Sequence, residues 1–378
     1  MKVLIVPDKF KGSLTANSVI EAIRLGLQDR AAGIETHAIT ASDGGDGFLE
    51  AVRRSDPEVE LCDCQTTDPL GRPIEARYGF SNKTSTAFVE MAKASGMELL
   101  ADHELNPSAT STLGTGTLMV DAVRRGAKRV YVGLGGSATT DGGTGIATAF
   151  GYRLLDRDGH FISPTGGDLQ TLAAIDSSAA FVPNDVQFFA INDVRNPLLG
   201  SQGASRVYAP QKGASPAMVD QLEANLTHLD TVVRRDLAKE ASEIPGTGAA
   251  GGTGFGLHVF LDAPFLSGIE FVFALTGIES LLAKGDIDLM ITGEGRIDDQ
   301  TSFGKLVSGV ASVGRKFGVP VIAVCGISKL ENRSKEDIGV EEIYQLHDGV
   351  RPVDETIREA SSILRRLVSQ IDLESFCK

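Results

Sequence analysis

The run Val3-Leu4-Ile5-Val6 carries no polar residue on either side of its pleat and ends at Pro7-Asp8. A strand alternates its side chains between two faces, so an all-apolar strand needs cover on both. That need excludes a strand with a solvated face and points to a parallel sheet layered with helices. The next residues agree. Thr15 is placed to cap a helix in which Val19, Ile20, Ile23 and Leu27 recur at helical spacing, with Gly33 just beyond its end. A second strand over Thr36–Thr40 leads into Asp43-Gly44-Gly45-Asp46-Gly47, and then into a helix with Phe48, Leu49 and Val52 on one side. Alternation of this kind builds a parallel sheet.

The same rhythm returns towards the other end of the chain. A strand over Asp288–Ile291 is followed by a loop over Thr292–Asp298 and a helix from Lys305 to Phe317. Then come a strand over Val319–Val324, a short one at Ile343-Tyr344 and a helix from Asp354 to Ile371. The middle is different. Leu61–Glu90 alternates apolar and polar residues around Asp68-Pro69-Leu70-Gly71, which predicts an antiparallel hairpin. After it are expected a helix over 118–125, a strand over 129–132, a loop over Gly133–Gly145 and a helix over 146–150. A strand over 186–191 and a long helix over 216–239 follow. Gly246–Gly256, with six glycines in eleven residues, is expected to be a hinge or a ligand-contacting loop. At 378 residues the chain exceeds one ordinary core. The organisation expected is two α/β domains: a parallel-sheet, Rossmann-like domain from residues 1–57 and 265–378, and an inserted mixed α/β domain over 58–264.

Charge and cysteine usage narrow the partners. A formal net charge of −14 repels phosphate backbones and anionic bilayers, which points to a small-molecule substrate and away from nucleic acid and membrane. Cys62, Cys64, Cys325 and Cys377 fit neither a zinc pattern nor a disulfide framework, as expected of reduced thiols in a cytoplasmic protein. The apolar runs are too short for a signal-peptide core or a membrane span.

Chemistry concentrates where strands give way to loops. Gly133–Gly143, which reads GLGGSATTDGG, follows a strand and opens a helix, so uncovered backbone N–H groups there can cradle an anion. Glycines also serve tight packing, but Thr139, Thr140 and Asp141 add polar groups that packing does not require. The G-x-x-x-x-G-K-[ST] phosphate loop is absent, since Gly304-Lys305 precedes Leu306 and Asp299 stands where the upstream glycine belongs. No G-x-G-x-x-G turn follows the first strand either. Lys9 and Lys11 sit beside Asp8 at a strand end, as cations for a polyphosphate or as a solvated loop face. Asp43 and Asp46 can hold Mg2+, or cap and complement a helix start. Glu294 and Asp298 flank Arg296. A carboxylate there can bind metal or take a proton, and the guanidinium can clamp a substrate carboxylate. Asp193 offers another base and Lys212 another cation. Phosphoryl transfer draws on this inventory of N–H cradles, carboxylates and cations.

Taken in order, these blocks resemble the bacterial type I glycerate kinases. Asp8-Lys9-Phe10-Lys11-Gly12-Ser13-Leu14 is similar to the family's opening D-x-F-K-G-S-L. Asp43–Gly47, Asp68–Pro73, Gly135–Gly143, Asp193 with Asn196-Pro197, Pro210–Ala214, Gly248–Gly252 and Thr292–Asp298 resemble its later motifs. The family often has glutamate and threonine where this chain has Asp46 and Phe48. The resemblance implies two α/β domains with a cleft between them, and phosphorylation of D-glycerate by ATP with Mg2+. It is most similar to members that act on the 2-hydroxyl to give 2-phosphoglycerate. Loop position and chemistry then assign roles. Lys9, Lys11 and the loop residues Gly135, Gly136, Ser137, Thr139 and Asp141 would hold ATP phosphates, and Asp43 and Glu294 the metal. Arg72, Arg296 and Lys212 would hold the substrate, and Asp193 or Asp298 would orient the hydroxyl proton. The alternatives are a kinase for another small hydroxy acid or a sugar, and a non-catalytic sensor of a phosphorylated metabolite.

Overall fold

The computed structural model describes residues 1–10, 12–39, 48–298, 301 and 306–376. The chain divides into two compact units, one formed by Met1–Ser42 with Gly268–Lys378 and the other by Asp43–Ser267. Strands β1 (Lys2–Pro7) and β2 (Glu35–Ala38) belong to the first. The second holds β3 (Glu60–Thr67), β4 (Pro73–Ser81), β5 (Thr86–Glu90), β6 (Arg129–Gly133), β7 (Arg153–Leu155), β8 (Ala174–Asp176), β9 (Gln187–Ile191) and β10 (Phe265–Leu266). The chain then returns to the first unit with β11 (Leu289–Asp298), β12 (Val321–Lys329) and β13 (Glu342–Gln345).

The first unit is an all-parallel sheet in the order β13-β12-β11-β1-β2. Its interior strand β1 answers the requirement set by Val3–Val6. Val3 and Ile5 join Val19, Ile23, Leu27, Leu364 and Val368 in the core on one face. Leu4 and Val6 join Ile278, Leu282, Val307 and Val310 in the core on the other. All four strand residues are 0% exposed. Thr15 caps the helix Ala16–Arg30, its hydroxyl accepting from Ser18 N (3.2 Å). That helix lies directly on Ala360–Gln370, because Gly26 leaves a space that a Cβ would fill, 2.5 Å from Arg365 O.

Two expectations are corrected here. Thr292–Asp298 is not a loop: β11 continues through it, pairing Glu294 with Cys325, Arg296 with Ile327 and Asp298 with Lys329. Gly293 permits this, since a Cβ there would stand 2.2 Å from Val324 O on the neighbouring strand. The helix Phe48–Ser55, placed by sequence in the first domain, packs against β4 and β5 of the second unit.

The second unit is built on a mixed sheet, β10-β9-β6-β5-β4-β3, in which β10, β9, β6 and β5 run parallel while β4 and β3 form the expected hairpin. Its core gathers Val89, Val130, Val132 and Phe188 from the sheet with Leu118, Leu226, Leu229, Phe255 and Val259 from helices. Gly246–Gly256, expected as a hinge or a ligand-contacting loop, takes a more regular form, and its Ala249 and Ala250 line a cavity. Most of it is the buried helix Ala249–Leu261, entered through a left-handed turn at Ala250, Gly251 and Gly252 (φ 53°, 66° and 86°). No helix among the described residues is long and apolar enough to cross a membrane.

Candidate active site

In the second unit, register brings Glu90, Gly133 and Ile191 into line, so β5, β6 and β9 end at one edge of the sheet. Open α/β sheets bind ligands at such an edge. The segments that leave it are stitched together by the backbone. Met91 N donates to Gly133 O (3.1 Å), Leu134 N to Ile191 O (3.2 Å), Met97 N to Gly136 O (2.9 Å) and Ala138 N to Ser95 O (2.9 Å). A cavity of about 280 Å³ opens there, lined among others by Gly135, Gly136, Ser137, Asn192, Asp193 and Lys212. Five of these residues were expected at a site. Asn192, which Asp193 follows directly, adds a buried Nδ2 without a hydrogen-bond partner, while its Oδ1 accepts from Val194 N (3.1 Å).

The loop's second half does different work from that expected of it. Asp141 is 0% exposed, and its carboxylate accepts from Thr112 N (2.8 Å), Thr112 Oγ1 (2.8 Å), Gly143 N (3.1 Å) and Gly145 N (3.2 Å). Burial pushes this carboxyl above its ordinary value, while those donors pull it back down. Ile146 N is taken in turn by Thr112 Oγ1 (3.1 Å). The start of the helix Thr144–Ala149 is therefore capped by the protein itself, and the cradle expected there is filled. Asp141 is turned inward as an organiser of the loop, and the stretch that lines the cavity is Gly135–Ser137. Thr139 is also 0% exposed, its hydroxyl without a partner.

Lys212 is only 1% exposed. Its ammonium donates to Ser137 Oγ (2.9 Å) and to Thr139 O (2.7 Å). Burial pulls its pKa down to about 7, against the upward pull of the Asp141 charge. Arg72 closes the turn that begins at Asp68: its Nε donates to Asp68 Oδ2, and its Nη1 and Nη2 to the Glu104 carboxylate (2.7 and 3.4 Å). These contacts tie the guanidinium into the protein, and it is not among the residues lining the cavity.

The first unit holds the other described candidates. Asp8 N donates to Gly293 O (2.8 Å), which sets Asp8 and Lys9 beside the start of the Glu294–Asp298 stretch. Lys9 is exposed, and its N–H donates to Asp8 Oδ1 (2.6 Å). Thr301 is the local organiser, its hydroxyl donating to Glu294 Oε1 (2.7 Å) and accepting from Asp298 N (3.1 Å). Arg296 reaches Asp298 through Nε (3.2 Å) with its side chain 59% exposed. Behind the strand, burial, with the Glu294 charge second, pushes the Cys325 thiol up to about 12, leaving it protonated and inert. Lys11 and Asp43 lie outside the described residues. Among the described residues, the trio of possible metal donors within 4.8 Å of one another is Asp156, Asp158 and His160, away from every expected position.

One acid went unread in the sequence. Glu90 ends β5 beside Gly133 and is 2% exposed. It accepts from Leu49 N (3.1 Å) at the start of the helix Phe48–Ser55 and pairs with Lys93 at 3.4 Å. An acid closing an apolar run was the signal that singled out Asp8. Here no glycine follows to mark it.

Comparison with known proteins completes the description. Residues 3–374 match the model of the glycerate kinase family. A glycerate kinase of Halalkalibacterium halodurans is 39% identical over 374 residues, covering 99% of this chain and 98% of the relative. A glycerate 2-kinase of Escherichia coli K12 is 39% identical over 361 residues, covering 95% and 94%. A crystal structure from Salmonella typhimurium LT2, assigned as glycerate kinase 2, superposes with a TM-score of 0.81 at 37% identity, covering 98% of this chain and 96% of that one.

Proposed function

The chain belongs to the glycerate kinase family, and we propose that it transfers the γ-phosphoryl group of ATP to the 2-hydroxyl of D-glycerate, giving 2-phosphoglycerate and ADP. What carries the reading is that the family match runs unbroken over residues 3–374, so that it takes in the strand-end acids, cations and glycines of both units. The named activity of the Escherichia coli relative supports the 2-position.

In this reading the hydroxyl oxygen of glycerate forms a bond to the γ-phosphorus as the bond to the bridging oxygen breaks, and the hydroxyl proton passes to a carboxylate. Asp193 suits that task, sharing a cavity wall with Gly135–Ser137, whose backbone would face the phosphates. Asp298 is engaged by Arg296 and orients it. The exposed Arg296 guanidinium would take the glycerate carboxylate, a geometry that guanidinium matches in bidentate fashion. Arg72, bound to Asp68 and Glu104, would serve the site by fixing its own turn. Lys9 and Lys11 would neutralise phosphate charge.

Asp8, just past the end of β1, and Glu294, beside it on β11, supply hard oxygen donors, a chemistry that fits Mg2+. Glu294 and Asp43 would hold the ion. When bound, it screens the phosphate charge and templates the nucleotide. The reading also makes this a cytoplasmic enzyme, in keeping with the free thiols of Cys62, Cys64 and Cys325.

The test is ADP release from ATP, Mg2+ and D-glycerate, with phosphorus NMR of the product. Turnover with a 2-phosphoglycerate resonance is expected. No ADP above background would remove the substrate assignment, and a 3-phosphoglycerate signal would remove the regiochemistry.

A further inference from the structure

The Gly135–Ser137 stretch needs a fixed shape if its backbone is to meet phosphates, yet glycines give it none. Its N–H and C=O groups are tied at Gly136 and Ala138 to the chain around Ser95–Met97, which holds one side. Side chains hold it as well: Thr110 Oγ1 donates to Ala138 O (2.9 Å), and Lys212 brackets that contact on either side. Burial of an ammonium is costly unless something in the structure uses it. Lys212 is buried to 1% exposure, comes from the short 3₁₀ turn Pro210–Lys212, and spends two hydrogen bonds on the loop, one at each end of Ser137–Thr139. Gly213 stops that turn at φ 94°, with Leu105 O 2.3 Å from where a Cβ would be, so the lysine's backbone is locked as well.

We propose that Lys212 is a positioning residue, a buried pin that fixes the nucleotide-facing loop through Ser137 Oγ and Thr139 O and does not itself take the substrate carboxylate. A side chain with almost no exposed surface cannot present its charge to glycerate. Both of its hydrogen bonds already end on the loop. The consequence is a division of labour: losing Lys212 harms nucleotide binding and leaves the acid's binding nearly untouched. The inference rests on the reading of Gly135–Ser137 as the nucleotide-facing stretch.

Its test compares wild type with Lys212→Met, Ser137→Ala and the double variant, by calorimetric titration with a non-hydrolysable ATP analogue and by steady-state kinetics. Lys212→Met is expected to weaken the analogue about tenfold, as for loss of its two hydrogen bonds to the loop, with KM for glycerate changed less than about twofold. The double variant is expected to be no worse than Lys212→Met alone, because both substitutions cut one path. A glycerate KM raised more than the nucleotide constant would overturn the proposal, as would losses that multiply. If Lys212→Met does not fold, Ser137→Ala decides. Unchanged analogue affinity in that variant overturns the pin, and weakened affinity with unchanged glycerate KM supports it. Absence of wild-type turnover would instead strike the proposed function, and the titrations would still report on Lys212.

Discussion

At the scale of single residues, the buried pair Lys212 and Asp141 governs how this loop responds to pH. An ammonium whose folded pKa is about 7, against an ordinary value of 10.5, is charged in the unfolded chain but neutral in the folded one between those limits. The unfolded state then binds more protons, so this group's contribution to stability grows as pH rises above 7 and is lost as pH falls through 7. Wild type should therefore gain on Lys212→Met by up to about 1.4 kcal/mol per pH unit between pH 7 and 9, measured by urea unfolding. A constant difference across that range would show Lys212 to be charged and paired throughout. The same residues mark a limit of legibility. Asp141 and Lys212 were singled out by their charge, but sequence cannot say whether a carboxylate faces a ligand or four N–H and O–H donors of its own chain. Thr112, which supplies two of those donors, carries no sequence signal at all.

At the scale of elements, glycine was the residue most often misread, and for one reason. Glycine in a sequence signals freedom, but in Gly246–Gly256 it provides nearness. A Cβ on Gly251 would stand 2.0 Å from Thr139 O, and one on Gly256 2.5 Å from Gly142 O. The helix Ala249–Leu261 thus lies flush against the loop that lines the cavity, and Gly142 N closes the contact by donating to Gly251 O (3.1 Å). Gly256→Ala should destabilise the protein by about 1–3 kcal/mol as an overpacking change. Gly33→Ala, with nothing within 4 Å of its Cβ, should stay within about 0.5 kcal/mol of wild type in the same chemical unfolding experiment. Equal effects would refute the packing account. The apolar runs were easier to read, since Val3–Val6 can satisfy both faces only by burial. β11 was harder, since Gly293 and Gly295 look like loop residues until β12 is beside them.

At the scale of the whole molecule, the two-domain α/β organisation was legible from the change of rhythm between the chain's ends and its middle. The helix Phe48–Ser55 went to the wrong side, because the rhythm continues through it while its apolar face packs on β4 and β5. The second unit is contiguous, Asp43–Ser267, with a large core of its own and a small satellite at Ala209, Val219 and Leu222, so a fragment of those residues should fold alone. It is expected to unfold in urea as a single cooperative transition with an intact near-ultraviolet spectrum. A fragment of residues 1–42 should stay unfolded, since it keeps only the pair β1-β2 and lacks β11 and the Leu364 and Val368 side chains that complete the core around Val3 and Ile5. A broad, non-cooperative transition for the 43–267 fragment would refute the autonomy of that unit.

The pairing of Val3 with Leu289 has a consequence for how the molecule is made. Synthesis from the N-terminus releases the most apolar strand of the sheet first and its neighbour nearly three hundred residues later. Throughout that interval the second unit can complete its core, while Val3–Val6 waits with the face of Leu4 and Val6 and the edge that β11 takes uncovered. A nascent chain of this kind is a client for holding chaperones during elongation, and its slowest folding step should be the late insertion of its own beginning between β2 and β11.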